Sequence, residues 1–288
     1  MEANTTATGS SADQALDLPI GVFDSGVGGL SVLNALREAM PHEHFVYFGD
    51  TGHNPYGERG DAYVTERTRR AASYLLAEHR IKALVVACNT ATAAAIHDLR
   101  AAHPHLPVVG VEPALKPAAA ITRTGHVAVI ATRGTLESRK FQALHASLAD
   151  QARFSIVPCD GLAGAIERSD AGAIRTLCAQ YLASAGHFGN ADGDIDTLVL
   201  GCTHYPFIVD ELRRHTGEAV NFIDTGVPVA QHARRLLEHS KKHRTEGVGS
   251  VLLLCSAAPS SLDAAAARWL LPLQGDDRPF ARAVLAKV

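Results

Sequence analysis

The sequence lacks several features that would assign a function class at once. No polybasic run stands out among its 288 residues, whose formal net charge is −3, so composition gives no electrostatic case for nucleic acid. The densest basic segment, ERTRR at 66–70, contains an acid in a helical pattern and is predicted to be a solvated helix face. No apolar run approaches the length that spans a bilayer, and no signal peptide pattern is present. We therefore expect a cytoplasmic protein with neither a nucleic-acid nor a membrane partner.

The number and spacing of the cysteines argue against a disulfide framework. The number of cysteines is odd, none forms a CxxC pair, and the chain is long for a disulfide-stapled domain. Free thiols in a reducing compartment are either buried small hydrophobes or reactive groups. The five thiols are Cys88, Cys159, Cys178, Cys202 and Cys255.

Short apolar runs rich in β-branched residues alternate with longer helical patterns. Continuous rather than alternating apolar runs are typical of strands buried on both faces, so the chain is predicted to be an α/β protein with mainly parallel sheets. The predicted strands are Ile20–Phe23, His44–Gly49, Ala83–Ala87, Pro107–Val111, His126–Ala131, Arg153–Pro158, Thr197–Gly201, Val220–Asp224 and Ser250–Cys255.

An internal repeat relates the two halves of the chain. Four predicted strand ends recur in the same order at separations of 107 to 114 residues. The matched positions are Asp24 with Ala131, Asp50 with Asp160, Cys88 with Cys202, and Glu112 with Asp224. One such match between apolar strands would be unremarkable, but four in register predict two similar α/β units related by a pseudo-two-fold axis.

The repeat also predicts the domain organisation and the place of the site. Residues 1–18, which are rich in Ser, Thr and Ala, are expected to form a flexible tail. Residues 19–111 plus 225–288 are expected to form a first doubly wound domain, and residues 112–224 a second. Ligands bind beyond the carboxyl ends of parallel strands, so the site is predicted in a cleft between the domains, with one cysteine from each.

Four interpretations of Cys88 and Cys202 are open on the residues alone. Both could be buried core cysteines, although the polar residues that follow each would then need partners. Cys202 and His204 could be half of a metal site, or a nucleophile with its base, which would leave the second cysteine unexplained. Two opposed thiols suit a fourth chemistry, the inversion of a stereocentre, in which one removes a proton and the other delivers one to the opposite face.

Three loops supply polar groups for a small zwitterionic substrate. In DSGVGG, Asp24 and Ser25 stand at a strand end, and free N–H groups of the following glycines are predicted to hold a carboxylate. CNTAT and CTH add donors at helix starts. Two interpretations of PYG are open: it is merely a turn, or Tyr56 adds a hydroxyl to the cleft. No GxxxxGK[ST] motif occurs and the glycine spacing does not match a dinucleotide loop, so nucleotide binding is not predicted.

These residues resemble a known family. The motifs IGVFDSGVGGLSVL, YFGDTGHNPYG, ACNTATA, GVEPALKPA, VAVIATRGTLES and LGCTHYPF are similar, in this order, to those of the bacterial glutamate racemases within the cofactor-independent aspartate/glutamate racemase superfamily. The resemblance runs from Ile20 to about Ala230, and CNTAT combined with GCTHYP is its most specific part. Residues 52–54 depart from the family's pattern.

The resemblance implies roles for particular residues. The catalytic cysteines would be Cys88 and Cys202, with Asp24 assisting near Cys88 and His204 near Cys202. An acidic assistant eight residues after the family's match to Cys159 falls on Glu167. The substrate contacts would be Asp24, Ser25, Pro55, Tyr56, Gly57, Cys88, Asn89, Thr90, Thr132, Thr135, Cys202, Thr203 and His204. Structural or incidental roles are expected for Cys159, Cys178 and Cys255.

The implied activity is racemisation of L-glutamate to D-glutamate for peptidoglycan, with no pyridoxal phosphate or other cofactor and no metal. Family members form different dimers, so a homodimer is an expectation without a predicted geometry. Two alternatives stay open, a racemase of aspartate or another amino acid, and a catalytically silent amino-acid-binding relative. His204 stands where aspartate-directed relatives have Glu, which favours glutamate.

Overall fold

The structure is a computed structural model that describes residues 16–272 and 282–288. Most of the predicted tail, residues 1–15, lies outside the described residues. The next two residues are held by side chains of the body of the protein. The carbonyl of Leu16 accepts a hydrogen bond from Lys82 Nζ at 2.6 Å, and Asp17 Oδ1 accepts one from Arg244 Nε at 3.1 Å.

Strands and helices alternate through most of the described chain. The strands are β1 (Ile20–Asp24), β2 (His44–Gly49), β3 (Ala83–Val86), β4 (Val108–Gly110), β5 (His126–Ala131), β6 (Arg153–Pro158), β7 (Thr197–Gly201), β8 (Asn221–Ile223), β9 (Ser250–Cys255) and β10 (Val284–Leu285). The α-helices are α1 (Leu30–Ala39), α2 (Asp61–His79), α3 (Asn89–Ala102), α4 (Leu115–Ile121), α5 (Arg133–Glu137), α6 (Arg139–Ala146), α7 (Leu162–Glu167), α8 (Ala171–Ala185), α9 (Val209–Thr216), α10 (Gly226–His239) and α11 (Pro259–Trp269). Two short 3₁₀ helices cover Tyr56–Glu58 and Tyr205–Ile208.

The strands form two sheets whose named strand pairs are all parallel. The first sheet has the order β10-β9-β2-β1-β3-β4, and the second has the order β6-β5-β7-β8. All nine predicted strands are present, each within one residue of its predicted limits at either end. The short β10 was not predicted.

The two sheets repeat one topology. The run β2-β1-β3-β4 in the first sheet corresponds strand for strand to β6-β5-β7-β8 in the second, as the internal repeat predicts. Late in the chain, β9 returns to pair with β2 over its whole length. The predicted α/β fold with two pseudo-symmetric halves is confirmed, whereas the proposed boundaries, 19–111 plus 225–288 and 112–224, stay a prediction.

Each sheet is covered by helices on both faces, which explains the continuous apolar runs. Along β1, Ile20 and Val22 pack into one core with α1, α10 and α11, while Phe23 packs into another with α2 and α3. The second sheet is divided in the same way: Val127 and Val129 of β5 face a core with α4 and α6, and its alternate residues face α7 and α8. Side chains on successive residues of a strand point to opposite faces, so both sets must be apolar.

The basic segment 66–70 lies in α2 and is only partly a solvated face. Arg69 and Arg70 are exposed and pair with acids on the surface. Arg67 and Thr68 are buried, at 6% and 0% exposure, and Arg67 pairs with Asp50 at the end of β2. The prediction of a solvated helix face is therefore wrong for these two residues, because each has a partner within the protein in place of water. The partner of Arg67 is the buried carboxylate of Asp50, and the Thr68 hydroxyl donates to the carbonyl of Val64 at 2.7 Å. In the described part of the chain, no helix combines the length and the apolar character that crossing a membrane requires.

Candidate active site

Loops at the carboxyl ends of strands from both sheets enclose a cavity of about 360 Å³, which is within the usual size range of small-molecule sites. Of the residues that the sequence assigns to the site, all line this cavity except Asp24 and Thr135. Two residues that were not predicted, Asn54 and Ala163, complete the lining. The lining residues are Ser25, Asn54, Pro55, Tyr56, Gly57, Cys88, Asn89, Thr90, Thr132, Ala163, Glu167, Cys202, Thr203 and His204.

Cys88 lies between β3 and α3, where it caps the helix. Its Sγ accepts a hydrogen bond from the N–H of Ala91 at 3.5 Å and donates one to Ser25 Oγ at 3.6 Å. Burial and the nearby charge of Asp24 raise the pKa of the Cys88 thiol to about 12, although the Ala91 N–H opposes the shift. Cys88 is therefore a thiol rather than a thiolate at neutral pH.

Cys202 follows β7 directly and begins a chain of polar contacts. Its Sγ is 3.5 Å from His204 Nδ1, and His204 Nε2 is 2.6 Å from Glu167 Oε1 at the end of α7. Burial disfavours the charged form of His204, but hydrogen bonds to Cys202 and Glu167 outweigh burial, and the pKa of His204 is raised well above its usual value. A protonated imidazole thus sits beside the Cys202 sulfur.

Glu167 also connects the second half of the repeat to the first. Its Oε1 accepts a hydrogen bond from the backbone N–H of Val27 at 2.8 Å, in addition to the contact with His204. The N–H groups of DSGVGG were expected to be free to hold a carboxylate. Those of Gly26 and Val27 instead donate to protein carboxylates, Asp24 at 2.8 Å and Glu167, so for these two groups the expectation is wrong.

Glycine is required in DSGVGG because the two halves approach closely there. A Cβ on Gly28 would lie 2.4 Å from His204 Nδ1 and 2.7 Å from Thr203 Oγ1, and one on Gly26 would lie 1.9 Å from Glu167 Oε1. Van der Waals overlap of this size cannot be accommodated without moving the site residues. The glycines thus allow the loops of the two halves to meet at the cavity.

Asp24 lies behind the cavity, between the two cysteine loops. Its carboxylate is fully buried and accepts a hydrogen bond from Thr203 Oγ1 at 3.2 Å, besides the Gly26 bond. Burial and the charge of Glu167 raise the pKa of Asp24, against the opposing effect of His204 and Gly26. Asp24 therefore retains a proton more readily than an ordinary carboxyl group.

The Tyr56 ring lines the cavity, but its hydroxyl does not serve the cleft. Tyr56 is 1% exposed, and its hydroxyl donates to Asp50 Oδ2 at 2.6 Å. The expectation of a hydroxyl directed to the cleft is therefore wrong, because the hydroxyl is hydrogen-bonded to the buried carboxylate of Asp50 behind the loop. The sequence gives no local signal of this contact.

Hydroxyl groups and an amide complete the polar lining. Thr132 Oγ1 is 3.0 Å from Thr90 Oγ1 and 2.9 Å from Thr135 Oγ1. Thr135 therefore lies behind Thr132 and does not line the cavity. Asn89 differs from these residues because both polar atoms of its side chain are buried without a hydrogen-bond partner. A buried amide without partners is rare and needs an explanation, and a polar ligand in the cavity would supply it.

The other three cysteines do not line this cavity. Cys159, Cys178 and Cys255 are all buried, and each packs in a hydrophobic core. Within the part of the chain that the structure describes, no group of three or more His, Cys, Asp or Glu side chains could hold a metal ion. The titratable groups that line the cavity are concentrated around the two thiols.

Comparisons with known proteins show which family the sequence resembles. A sequence model of the Asp/Glu/hydantoin racemases matches residues 30–236. Among curated relatives, the glutamate racemase of Stutzerimonas stutzeri is 44% identical over 85% of this chain and 90% of its own length, and that of Ectopseudomonas mendocina is 50% identical over 76% and 82%.

Solved structures are similar over nearly the whole chain. A glutamate racemase isoform from Bacillus anthracis has a TM-score of 0.80 at 30% identity, covering 94% of this chain and 97% of its own. The glutamate racemase of Francisella tularensis, solved in complex with D-glutamate, has a TM-score of 0.77 at 25% identity, covering 94% and 98%. The Escherichia coli glutamate racemase, solved with L-glutamate and the activator UDP-MurNAc-Ala, has a TM-score of 0.75 at 31% identity, covering 87% and 95%.

Proposed function

This chain belongs to the Asp/Glu/hydantoin racemase family and is an isomerase, and we propose that it interconverts L- and D-glutamate by proton transfer between two cysteines. The observation that carries the proposal is the placement of Cys88 and Cys202 on the lining of one cavity, each at the end of the equivalent strand of a repeated unit. Inversion at a carbon requires an acid and a base on opposite faces, and a pseudo-two-fold axis provides two equivalent groups that face each other.

The reaction balances with two thiols alone. One thiolate takes the α-proton, so the C–H bond breaks and an S–H bond forms. The opposite thiol then loses its proton to the other face of the α-carbon, and a new C–H bond forms. The reaction leaves the protonation states of the two sulfurs exchanged, and this is the correct starting state for the reverse direction.

The partners of the two thiols suit different resting states. Cys88 is a thiol at neutral pH, because burial and Asp24 disfavour its thiolate, and is therefore the acid of the resting site. Cys202 is next to the protonated His204, whose N–H is placed to stabilise negative charge on the sulfur. We therefore assign the first proton abstraction to Cys202 in the form of the protein that carries a Cys88 thiol.

Substrate recognition rests on the remaining lining groups. Asn89 offers a donor and an acceptor that have no partner within the protein, and the hydroxyls of Ser25, Thr90 and Thr203 border the same cavity. Such groups suit the carboxylates and the ammonium group of an amino acid. Glutamate is the proposed substrate because the Francisella tularensis and Escherichia coli structures hold it, and we place its D-enantiomer in the supply of peptidoglycan precursors.

The deciding experiment follows L-glutamate in deuterated water with the purified protein under reducing conditions, without added metal or cofactor. Optical rotation reports inversion, and mass spectrometry reports deuterium at the α-carbon. We expect deuterated D-glutamate from the wild type and loss of both signals in Cys88→Ala and Cys202→Ala. Cys178→Ala, which removes a buried thiol outside the cavity, is the matched control and should retain activity.

Each other result has a defined meaning. Racemisation of aspartate but not glutamate would keep the two-thiol chemistry and change the substrate. Activity that survives in either cavity cysteine variant would contradict the two-thiol mechanism. Inactivity toward every amino acid tried would favour a silent amino-acid-binding protein.

A further inference from the structure

A buried ion pair lies directly behind the wall of the cavity that residues 54–57 form. Asp50 is the residue that follows β2, and its exposure is 0%. Arg67, on α2, contacts it and is 6% exposed. The guanidinium forms a bidentate contact with the carboxylate, in which Nε donates to Oδ2 and Nη2 donates to Oδ1, each at 2.9 Å. This bidentate geometry fixes the position of the carboxylate more firmly than a single hydrogen bond would.

The same carboxylate holds the loop that forms the wall. Asp50 Oδ2 also accepts the hydroxyl of Tyr56 at 2.6 Å, and Oδ1 is 2.9 Å from His53 Nδ1. The backbone of Asp50 donates to the carbonyl of Asp24 at 2.9 Å, next to the cysteine loops. Both ends of residues 53–56 are thus held by one buried group that is itself tied to β1.

We infer that Asp50 and Arg67 are positioning residues, which set the place of Tyr56 and, through it, the cavity wall against which the substrate lies. The inference rests on the proposed function, since it assigns to the pair an effect on glutamate binding. Neither residue lines the cavity, so both act through Tyr56 and the backbone of residues 54–57. A loosely held wall would lose the geometry on which binding and proton transfer depend.

The aspartate at the equivalent position in the other half of the molecule provides a contrast. Asp160, the repeat partner of Asp50, binds Arg133, but their side chains are 41% and 49% exposed. An exposed ion pair contributes little to stability, and a buried one is retained only where hydrogen bonds compensate its desolvation. The half that buries the pair is the half whose loop 54–57 lines the cavity.

The charge of Asp50 is secured by its partners. Burial alone would raise its pKa, but hydrogen bonds from Arg67, Ser256 and Tyr56 outweigh burial and lower the pKa of Asp50 below its usual value. The carboxylate therefore stays charged at neutral pH and remains a strong acceptor for Tyr56.

The test replaces Arg67 by Lys, which keeps the positive charge and removes the bidentate contact with Asp50. We expect the KM for glutamate to rise about ten-fold while kcat changes less than about three-fold, as for the loss of a hydrogen bond to a charged group that acts on binding. Arg69→Lys alters an exposed pair on the same helix and should leave both constants unchanged. Tyr56→Phe removes one bond and leaves the pair intact, so it covers the case in which Arg67→Lys fails to fold.

A cycle of variants separates positioning from simple stabilisation. If Arg67 acts through the Tyr56 hydroxyl, the rise in KM in the Arg67→Lys/Tyr56→Phe double variant will be clearly smaller than the product of the rises in the single variants. Lower melting temperatures with unchanged KM values, or fully multiplicative effects, would overturn the inference.

One readout does not depend on the proposed reaction. Cys88 is 6% exposed and shares the cavity with Tyr56, so a loosened wall should let iodoacetamide alkylate it at least about three-fold faster in Arg67→Lys and in Tyr56→Phe, but not in Arg69→Lys. Unchanged alkylation would contradict the inference even if the protein failed to racemise glutamate. A wild type without glutamate racemisation, combined with faster alkylation in the two variants, would refute the proposed function and retain the positioning role.

Discussion

Replacing Glu167 by Gln tests whether a residue that is hydrogen-bonded to His204 rather than to a thiol controls Cys202 through that histidine. The Gln amide oxygen can accept the bonds that Oε1 now accepts from Val27 N–H and His204 Nε2, at 2.8 Å and 2.6 Å. Geometry is therefore retained while one negative charge is removed. The side chains of Glu167 and His204 are only 13% and 6% exposed, so solvent screens the lost interaction weakly.

The size of the effect follows from the strength of the bond. A hydrogen bond to a charged group contributes about 1 to 1.5 kcal/mol more than a neutral one, and about 1.4 kcal/mol corresponds to one pKa unit or a ten-fold change in rate. Glu167 is one of the groups that raise the pKa of His204, so the substitution lowers that pKa. Imidazolium is then lost at a lower pH, and the alkaline limb of kcat/KM should move down by about one unit.

The assay measures kcat/KM by polarimetry from both enantiomers between pH 6 and pH 10. Because the equilibrium constant of a racemisation is one, kcat/KM must be equal in the two directions, so it should fall about ten-fold for both L- and D-glutamate. Glu58→Gln is the matched control, since Glu58 Oε1 also accepts a backbone N–H across the cleft, from Gly161 at 3.1 Å, and is not among the groups that shift the pKa of His204. A wild-type pH profile in Glu167→Gln would refute the reasoning, as would an equal loss in the control.

Three further predictions concern single positions. The pKa of Cys88, about 12, predicts that its alkylation by iodoacetamide, followed by peptide mapping, rises about ten-fold per pH unit from pH 7 to pH 10; a plateau in this range would contradict it. Asn89→Ala removes an amide without partners, so urea denaturation should show unfolding free energy raised by about 1 kcal/mol while the KM for glutamate increases; lower stability with unchanged KM would contradict it. Gly28→Ala places a Cβ against His204 and should lower kcat about 100-fold, whereas Gly60→Ala, which meets no atom within 4 Å, should not; equal activities of the two variants would contradict it.

The parts of the fold that follow from local pattern could be predicted from the sequence. Strands buried on both faces leave continuous apolar runs, and the limits of β2, β5, β6, β7 and β9 coincide with the predicted ones. The internal repeat predicted the matching strand order of the two sheets, because equal spacing of strand ends implies equal topology. The same repeat predicted that Cys88 and Cys202 lie at the ends of equivalent strands.

The contacts that set the chemistry join residues far apart in the sequence. Val27 and Glu167 are 140 residues apart, and no periodicity or spacing relates them. Arg67 stands in a basic segment that has the composition of a surface helix, and only the buried carboxylate of Asp50 explains its burial. Tyr56 illustrates the same limit, since a hydroxyl beside a cavity can bind the ligand or the protein behind it, and only the fold decides between them.

The site combines a symmetric scaffold with asymmetric surroundings, and this asymmetry has a chemical reason. In the proposed mechanism, racemisation exchanges the protonation states of two thiols, so in each resting form one sulfur must be a thiol and the other a thiolate. Two identical environments would make these two states equal in energy by symmetry. Here Asp24 disfavours negative charge on Cys88, while the His204–Glu167 pair is placed to stabilise it on Cys202. In this proposal, the pseudo-two-fold axis supplies the two faces of attack, and the unequal neighbours select which thiol holds the proton when the substrate arrives.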